Sequence, residues 1–398
     1  MRKSILTATL FPAALALASC SAAQDGETSA ESTPAPSGVM AGEAVSLEAG
    51  SPFAAASMGN FDSPWAIAFE PGTGRIFITE KGGTAKLFDP ATGRTLAVAG
   101  MPQVAAQGQG GLGDIAFAPD YATSGMIYLS WAQAAEGDTK RAVAGRGKLV
   151  CDNAACRVEG LTEIWRQTLA VSTGGHYSHK FAFAPDGRHL FISSGDRQQG
   201  APAQDNTNNL GTLVRLNLDG TPAQGNPFAA QGAPTNQIWS YGHRNALGLQ
   251  FDAAGKLWDL EHGPRGGDEL NLVEMGANYG WPERSNGDNY NGDPIPDHEP
   301  SDGFNQPAIS WNPVIAPGDF VFYNGTMWPQ WRGQAVIAGL GTTSIIRVAT
   351  DAAGNSANEQ ARHVFPKRLR DIAQAPDGAL WVIEDGGNGR LLRLTPAS

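Results

Sequence analysis

AFAPDGRHLFISS, residues Ala182–Ser194, reads as two short apolar strands joined by a Pro-Asp-Gly turn. Five other stretches share its plan: AFEPGTGRIFITE from Ala68, AFAPDYATSGMIYLSW from Ala116, LQFDAAGKLWDLE from Leu249, FVFYNGTMWPQWRGQAVIAG from Phe320 and AQAPDGALWVIED from Ala373. The equivalent positions Phe69, Phe117, Phe183, Phe251, Phe322 and Gln374 stand 48, 66, 68, 71 and 52 residues apart, so the long insertions fall between the middle repeats. A hairpin of this kind cannot bury both faces by itself, and radial packing of similar units protects their edges. The repetition therefore predicts an all-β chain, a six-bladed β-propeller. Two stacked sandwiches would not need six similar hairpins. In a propeller the loops at one end of the central channel converge, so chemistry can be assembled from residues far apart in sequence.

Composition agrees. With 50 Gly and 26 Pro beside 10 Trp and 16 Phe, the chain is rich in turns and short aromatic-bearing strands and shows few long amphipathic helices. A formal charge of −11 argues against a nucleic-acid partner. At the N-terminus, Arg2 and Lys3 precede an apolar run from Ile5 to Ala18, which reads as an export signal over residues 1–19. Leu17-Ala18-Ser19-Cys20 has the form of a lipoprotein processing box, so Cys20 is expected to carry a lipid and residues 20–48 to form a flexible tether. The expected body is 49–398, in an exported, periplasmic, lipid-anchored protein that meets a membrane only through that anchor. Cys151 and Cys156 are read as a small disulfide loop.

Between Ile238 and Pro282 polar groups crowd among turn formers: a Gly-His-Arg-Asn turn at Gly242 to Asn245, a Gly-Pro turn at Gly263 and Pro264, and the pair Asp268 and Glu269. A solvated surface hairpin is one reading. The other is a charged cofactor, with exposed carbonyls and carboxylates for a hard cation such as calcium and Arg244 for an anion. Elsewhere, Gln107 and Gln109 lie among glycines before the second repeat, His176 follows two glycines before the third, and SSGDRQQG follows it. His176 can act as a base near neutral pH or be merely structural. Arg368 and Arg370 alternate ahead of the sixth repeat and share a face on an extended strand, so they require a ligand carboxylate or a local acidic partner.

The stretches GQGGL, HYSHKF, GTLVRLNLDG, GHRNALGL, EHGPRGGDELN, NYGWP and RLRDIAQAPDG together resemble the soluble quinoprotein aldose sugar dehydrogenases, relatives of soluble glucose dehydrogenase. The resemblance runs from about Pro64 to Leu394. It implies a six-bladed propeller that uses pyrroloquinoline quinone (PQQ) and calcium to oxidise the anomeric hydroxyl of an aldose to a lactone and passes electrons to an external acceptor. It also implies His176 as base, Gln109 near the substrate, and Arg244 with Asn245 against the quinone. Gln199 would contact the cofactor and Arg368 and Arg370 its carboxylates. Gly263 and Pro264 would hold the active-site calcium through their carbonyls, and Glu269 and Tyr279 a second, structural calcium. Two departures stand out: Gly341 or Thr342 replaces a family lysine, and Gly175 replaces an acidic residue often found before the base. Two alternatives remain at this level, a calcium-dependent lactone hydrolase and a non-catalytic sugar-binding propeller.

Overall fold

The structure is a computed structural model that describes residues 38–152 and 154–397. The export signal, Cys20 and most of the tether lie outside the described residues. Glu43–Val45, inside the span read as tether, forms a short strand paired antiparallel with Phe53–Phe61.

Each of the six sequence repeats forms the first two strands of an antiparallel meander. The opening strands are Pro64–Phe69, Leu112–Phe117, Ser178–Phe183, Ala246–Phe251, Pro317–Phe322 and Leu369–Gln374. The repeat-equivalent residues occupy the same register position, each closing its hairpin: Phe69 faces Ile76, Phe117 faces Ile127, Phe183 faces Leu190, and Phe251, Phe322 and Gln374 follow suit. The first two meanders join into one eight-stranded sheet, because Thr95–Ala99 and Cys156–Arg166 pair in parallel at their ends. The last meander is completed by the N-terminal strand Phe53–Phe61, which pairs with Gly389–Pro396 and ties the two ends of the folded body together. Cys151 and Cys156 face each other across the second meander's outer hairpin and are disulfide-bonded, as the sequence suggested.

The opening strands touch one another in sequence, and Leu369–Gln374 returns to Pro64–Phe69, so the six form a closed ring. The repeated phenylalanine explains how neighbours are keyed together. Phe117 meets Phe77 edge to face, Phe183 meets Tyr128, Phe251 meets Phe191, Phe322 meets Trp258 and Phe69 meets Trp381. Every partner lies on the second strand of the preceding meander, and each such pair adds about 0.5–1.5 kcal/mol beyond its buried area. Gln374 breaks the pattern and instead accepts the Asn324 N–H.

At the third position of each opening strand the ring carries Ala66, Asp114, Lys180, Gly248, Asp319 and Asp371. The Lys180 ammonium lies 3.0 Å from Asp114, 2.8 Å from Asp319 and 3.9 Å from Asp371. Asp114 also accepts the Phe181 N–H and Asp371 the Ile67 N–H, each stitching one opening strand to the next.

Candidate active site

The segments that enter the opening strands bring most of the sequence-selected residues together. His176 stands two residues before Ser178–Phe183 and is buried. Its backbone N–H donates to Gln109 Oε1 at 2.7 Å, which ties the GQGGL loop to the histidine. Its Nδ1 lies 2.7 Å from Asp196 Oδ1. Asp196 is further held by the Gln198 N–H at 2.8 Å and the Trp281 indole N–H at 2.7 Å. With a carboxylate at Nδ1, the imidazole carries its proton there and leaves the Nε2 lone pair free to accept one. Burial lowers the His176 pKa below the ordinary histidine value, the Arg244 and Arg197 charges add to that, and Asp196 opposes it.

Arg244 is anchored from three sides. Its backbone N–H donates to Glu261 Oε2 at 2.6 Å, and its guanidinium donates to the His262 carbonyl at 3.0 Å and to Tyr290 Oη at 3.2 Å. The guanidinium also lies 5.1 Å from the Trp281 ring, the residue that holds Asp196. Asn245 accepts the Ser178 hydroxyl at 3.1 Å. Glu261 belongs to a buried cluster with His243, Asp259 and Glu269. Burial alone would discharge His243, but the Asp259 and Glu261 carboxylates hold it protonated, at about 10. The turn that reads as cationic in the sequence is therefore cationic through both His243 and Arg244.

Arg368 and Arg370 do face the same way, and a local acid meets them: Arg368 Nε donates to Asp385 Oδ2 at 2.9 Å, and Arg370 donates to Oδ1 at 3.0 and 2.7 Å. One carboxylate for two guanidinium groups leaves a net positive wall. That wall, with Gln109, Asn245, Tyr177 and His179, lines a cavity of about 170 Å3. His176 is not itself a wall; it borders the cavity through its neighbour Tyr177 and its partner Gln109. Gln199 stands apart: it is exposed and donates to the Arg197 carbonyl at 3.0 Å. From the loop where the family lysine was expected, Leu340 reaches the cavity, while the Thr342 hydroxyl is bonded to that of Ser344.

Gly263, Glu269 and Tyr279 surround a second space of about 10 Å3, room for one ion or water. Pro264 is buried next to Gly263 in the chain but does not line that space. The Gly263 N–H donates to Asp268, whose carboxyl burial pushes up to about 6. Burial and the nearby Glu261 and Asp259 raise Glu269 well above the carboxylate range, so a carboxyl that holds its proton lines this space beside Glu261, with Arg244 and Arg284 on the same wall.

Five of the eight non-glycine residues with positive φ among the described residues are His176, Ser178, His179, Arg197 and Gln198. Such backbone costs of order 1–3 kcal/mol per residue and persists where the surroundings impose it. Here it aims two segments at each other, the histidine turn and the Asp196 turn. Arg197, wholly buried, clamps them by donating to the Gly175 carbonyl at 2.9 Å and the Lys140 carbonyl at 2.8 Å.

The sequence pattern of the Glucose / Sorbosone dehydrogenase family matches residues 61–393. The chain belongs to that family. Its relatives include the aldose sugar dehydrogenase YliI of Escherichia coli K12, 36% identical over 340 residues that cover 84% of this chain and 90% of that one. The apo-form structure of the soluble aldose sugar dehydrogenase of Escherichia coli superposes with a TM-score of 0.81 at 35% identity, over 87% of this chain and all of the other (100%). The PQQ-bound aldose sugar dehydrogenase of Streptomyces coelicolor gives a TM-score of 0.69 at 28% identity, covering 88% and 99% of the two chains. Membership makes this glucose/sorbosone dehydrogenase homologue an oxidoreductase, on an all-β scaffold of the propeller type. No helix among its described residues is long and apolar enough to cross a membrane.

Asp196, absent from the residues selected on sequence, is the carboxylate expected to orient His176. Replacing it with asparagine should lower oxidoreductase turnover by about 10²-fold, the low end of what a positioned base contributes. It should also move the acidic limb of the pH–rate profile to lower pH, because the neighbour that raises the His176 pKa is gone. A steady-state pH series on wild type and Asp196→Asn measures both effects.

Proposed function

We propose that this protein is a PQQ-dependent aldose dehydrogenase on a six-bladed β-propeller, oxidising the anomeric hydroxyl to the lactone with His176 as the base. The observation that carries the proposal is the His176–Asp196 pair set beside a cavity walled by two arginines that share one carboxylate.

The residues fit a tricarboxylate quinone. In a chain of net charge −11 the cavity wall is locally positive, and two of its residues carry buried polar atoms with no protein partner, Tyr177 Oη and His179 Nε2, while Arg244 Nε, beside the neighbouring smaller space, is a third. Buried polar groups without partners are costly, and a polar ligand satisfies them. Arg368, Arg370 and Asn245 would hold the quinone, Arg244 would face its oxygens, and Gln109, bonded to the His176 backbone, would stand near the sugar. When bound, the quinone supplies the acceptor for the two electrons that leave the anomeric C–H bond as hydride. His176 Nε2 takes the hydroxyl proton, and Asp196 steadies the imidazolium that forms. Gly263 and Pro264 are proposed to hold the calcium beside the quinone, and Glu269 and Tyr279 a second calcium in a space with room for one ion, where binding requires Glu269 to release its proton. Gln199 is not proposed as a cofactor contact, since it is exposed and does not line the cavity.

The lactone-hydrolase alternative calls for side-chain carboxylates free to bind metal at the channel. Asp114 and Asp319 are paired to the Lys180 ammonium instead. The expected sugar partner, external electron acceptor, export and lipid anchor belong to the proposal. Reconstituting the mature protein with calcium chloride, with and without PQQ, tests it against a panel of aldoses and a redox dye. Dye reduction that requires both PQQ and sugar is expected; a folded protein that neither binds PQQ nor reduces the dye would refute the reading.

A further inference from the structure

His179 sits two residues beyond Tyr177, in the wall of the cavity, and is 1% exposed. Its place is built rather than incidental. A Cβ at residue 113 would fall 1.9 Å from the imidazole Cε1, so the ring has room only because Gly113 lies opposite. Its backbone is held at φ +57°, a conformation a side-chain-bearing residue adopts at a cost.

The hydrogen bonds decide which nitrogen carries the proton. The Asp114 N–H donates to Ser130 Oγ at 2.8 Å, and the same oxygen lies 2.7 Å from His179 Nδ1. Directing the Ser130 hydroxyl proton at Nδ1 satisfies every polar atom of that pair. Nε2 then carries a hydrogen. Burial, with the nearby Arg197 and Lys180 charges, lowers this imidazole to about 3, so the ring is neutral at working pH. Nε2–H is nevertheless buried and has no protein partner. Tyr177, another residue of the cavity wall, has an orphaned hydroxyl as well, its ring covered by the Arg197 guanidinium at 3.6 Å. A neutral donor left unpaired in a positively charged cavity has an evident use, which is to meet an oxygen of whatever anion the arginines hold.

The geometry points to His179 as a ligand-binding residue whose Nε2–H donates a hydrogen bond to an oxygen of the quinone in the Arg368–Arg370 cavity. The assignment rests on the cofactor reading above and adds a contact that none of the sequence-selected residues supplies. No bond is made or broken at His179. It reads out in affinity and in the environment of one proton.

The test is a titration of PQQ, with calcium chloride present, into wild type, His179→Ala and His179→Gln, following tryptophan fluorescence. Glutamine places an amide N–H near the position of Nε2, so it keeps the donor without the ring. The expected result is PQQ binding about tenfold weaker in His179→Ala and within about threefold of wild type in His179→Gln, the step one buried hydrogen bond provides. Long-range 1H–15N spectra should show the His179 Nε2–H resonance of wild type shifting on addition of PQQ. Unchanged affinity in His179→Ala, or a resonance indifferent to PQQ, overturns the assignment while leaving the cofactor reading intact. Equal loss of affinity in both variants, with equal falls in thermal midpoint, also overturns it by showing that the ring only fills space. Wild type that binds no PQQ defeats the cofactor reading, and this assignment with it.

Discussion

His176→Ala is expected to lower kcat for PQQ-dependent aldose oxidation by about 10²–10⁴-fold, the usual contribution of a positioned general base. The PQQ dissociation constant should stay nearly the same, because His176 is not a wall of the cavity and the arginines, Asn245 and Gln109 are untouched. Folding should survive too. Asp196 loses its imidazole partner yet keeps the Gln198 and Trp281 N–H groups, so no bare carboxylate is left buried. The pH dependence has a definite sign. A base must be neutral, and burial holds the His176 pKa below the ordinary histidine value. Wild-type activity should therefore rise with pH through an acidic limb below about 6.5, then stay level through neutrality. The limb should vanish in His176→Ala. Stopped-flow measurement of quinone reduction at saturating sugar checks the rate, and the same assay across pH checks the limb. A variant that retains wild-type kcat would move the role of base to another residue and remove the central claim about the site.

How much of this was legible in the sequence follows from the range of the interactions involved. The six hairpins were visible because a turn and two flanking strands are local, and the repeated phenylalanine marks a packing position that recurs with them. That Phe69, Phe117, Phe183, Phe251 and Phe322 each dock on the preceding meander could not be read from any one repeat, since each partner lies in a different one. His176, Gln109 and Asn245 stood out as polar residues among glycines or in turns ahead of strands. Asp196 did not, although it lies in the quoted SSGDRQQG loop, because its partners His176 and Trp281 are 20 and 85 residues away. Asp385 was equally hidden: the alternation of Arg368 and Arg370 demanded an anion, and the chain itself supplies one from 15 and 17 residues downstream. Gln199 lies off the cavity wall for a different reason. The loop folds back on itself through positive-φ Arg197 and Gln198, a conformation that side-chain-bearing residues do not advertise, and this turns the amide to the backbone.

Lys180→Met should produce the largest loss of stability of any single change at the ring. Lys180 carries its ammonium among Asp114, Asp319 and Asp371, all buried, with its own side chain 13% exposed. Removing one partner of a buried ion cluster strands the others without compensation, at about 3–5 kcal/mol, and the residual exposure argues for the lower end, about 3 kcal/mol. The three carboxylates come from three different opening strands, so the loss should appear as a cooperative fall in the denaturant midpoint of the whole body rather than the loosening of one sheet. The pH dependence separates this from simple loss of packing. Burial already raises Asp114 above the ordinary aspartate value and Asp319 well above it, and removing the ammonium, which holds them down, raises them further. A carboxyl whose folded pKa lies above its unfolded value contributes stability at low pH and loses it as pH rises through the folded pKa. The deficit of Lys180→Met relative to wild type should therefore shrink as pH is lowered through the acidic range and widen toward neutrality. Equilibrium unfolding in guanidinium chloride at a series of pH values measures that slope. A deficit independent of pH would mean that methionine merely packs badly, and that the charges around Lys180 contribute nothing to holding the ring closed.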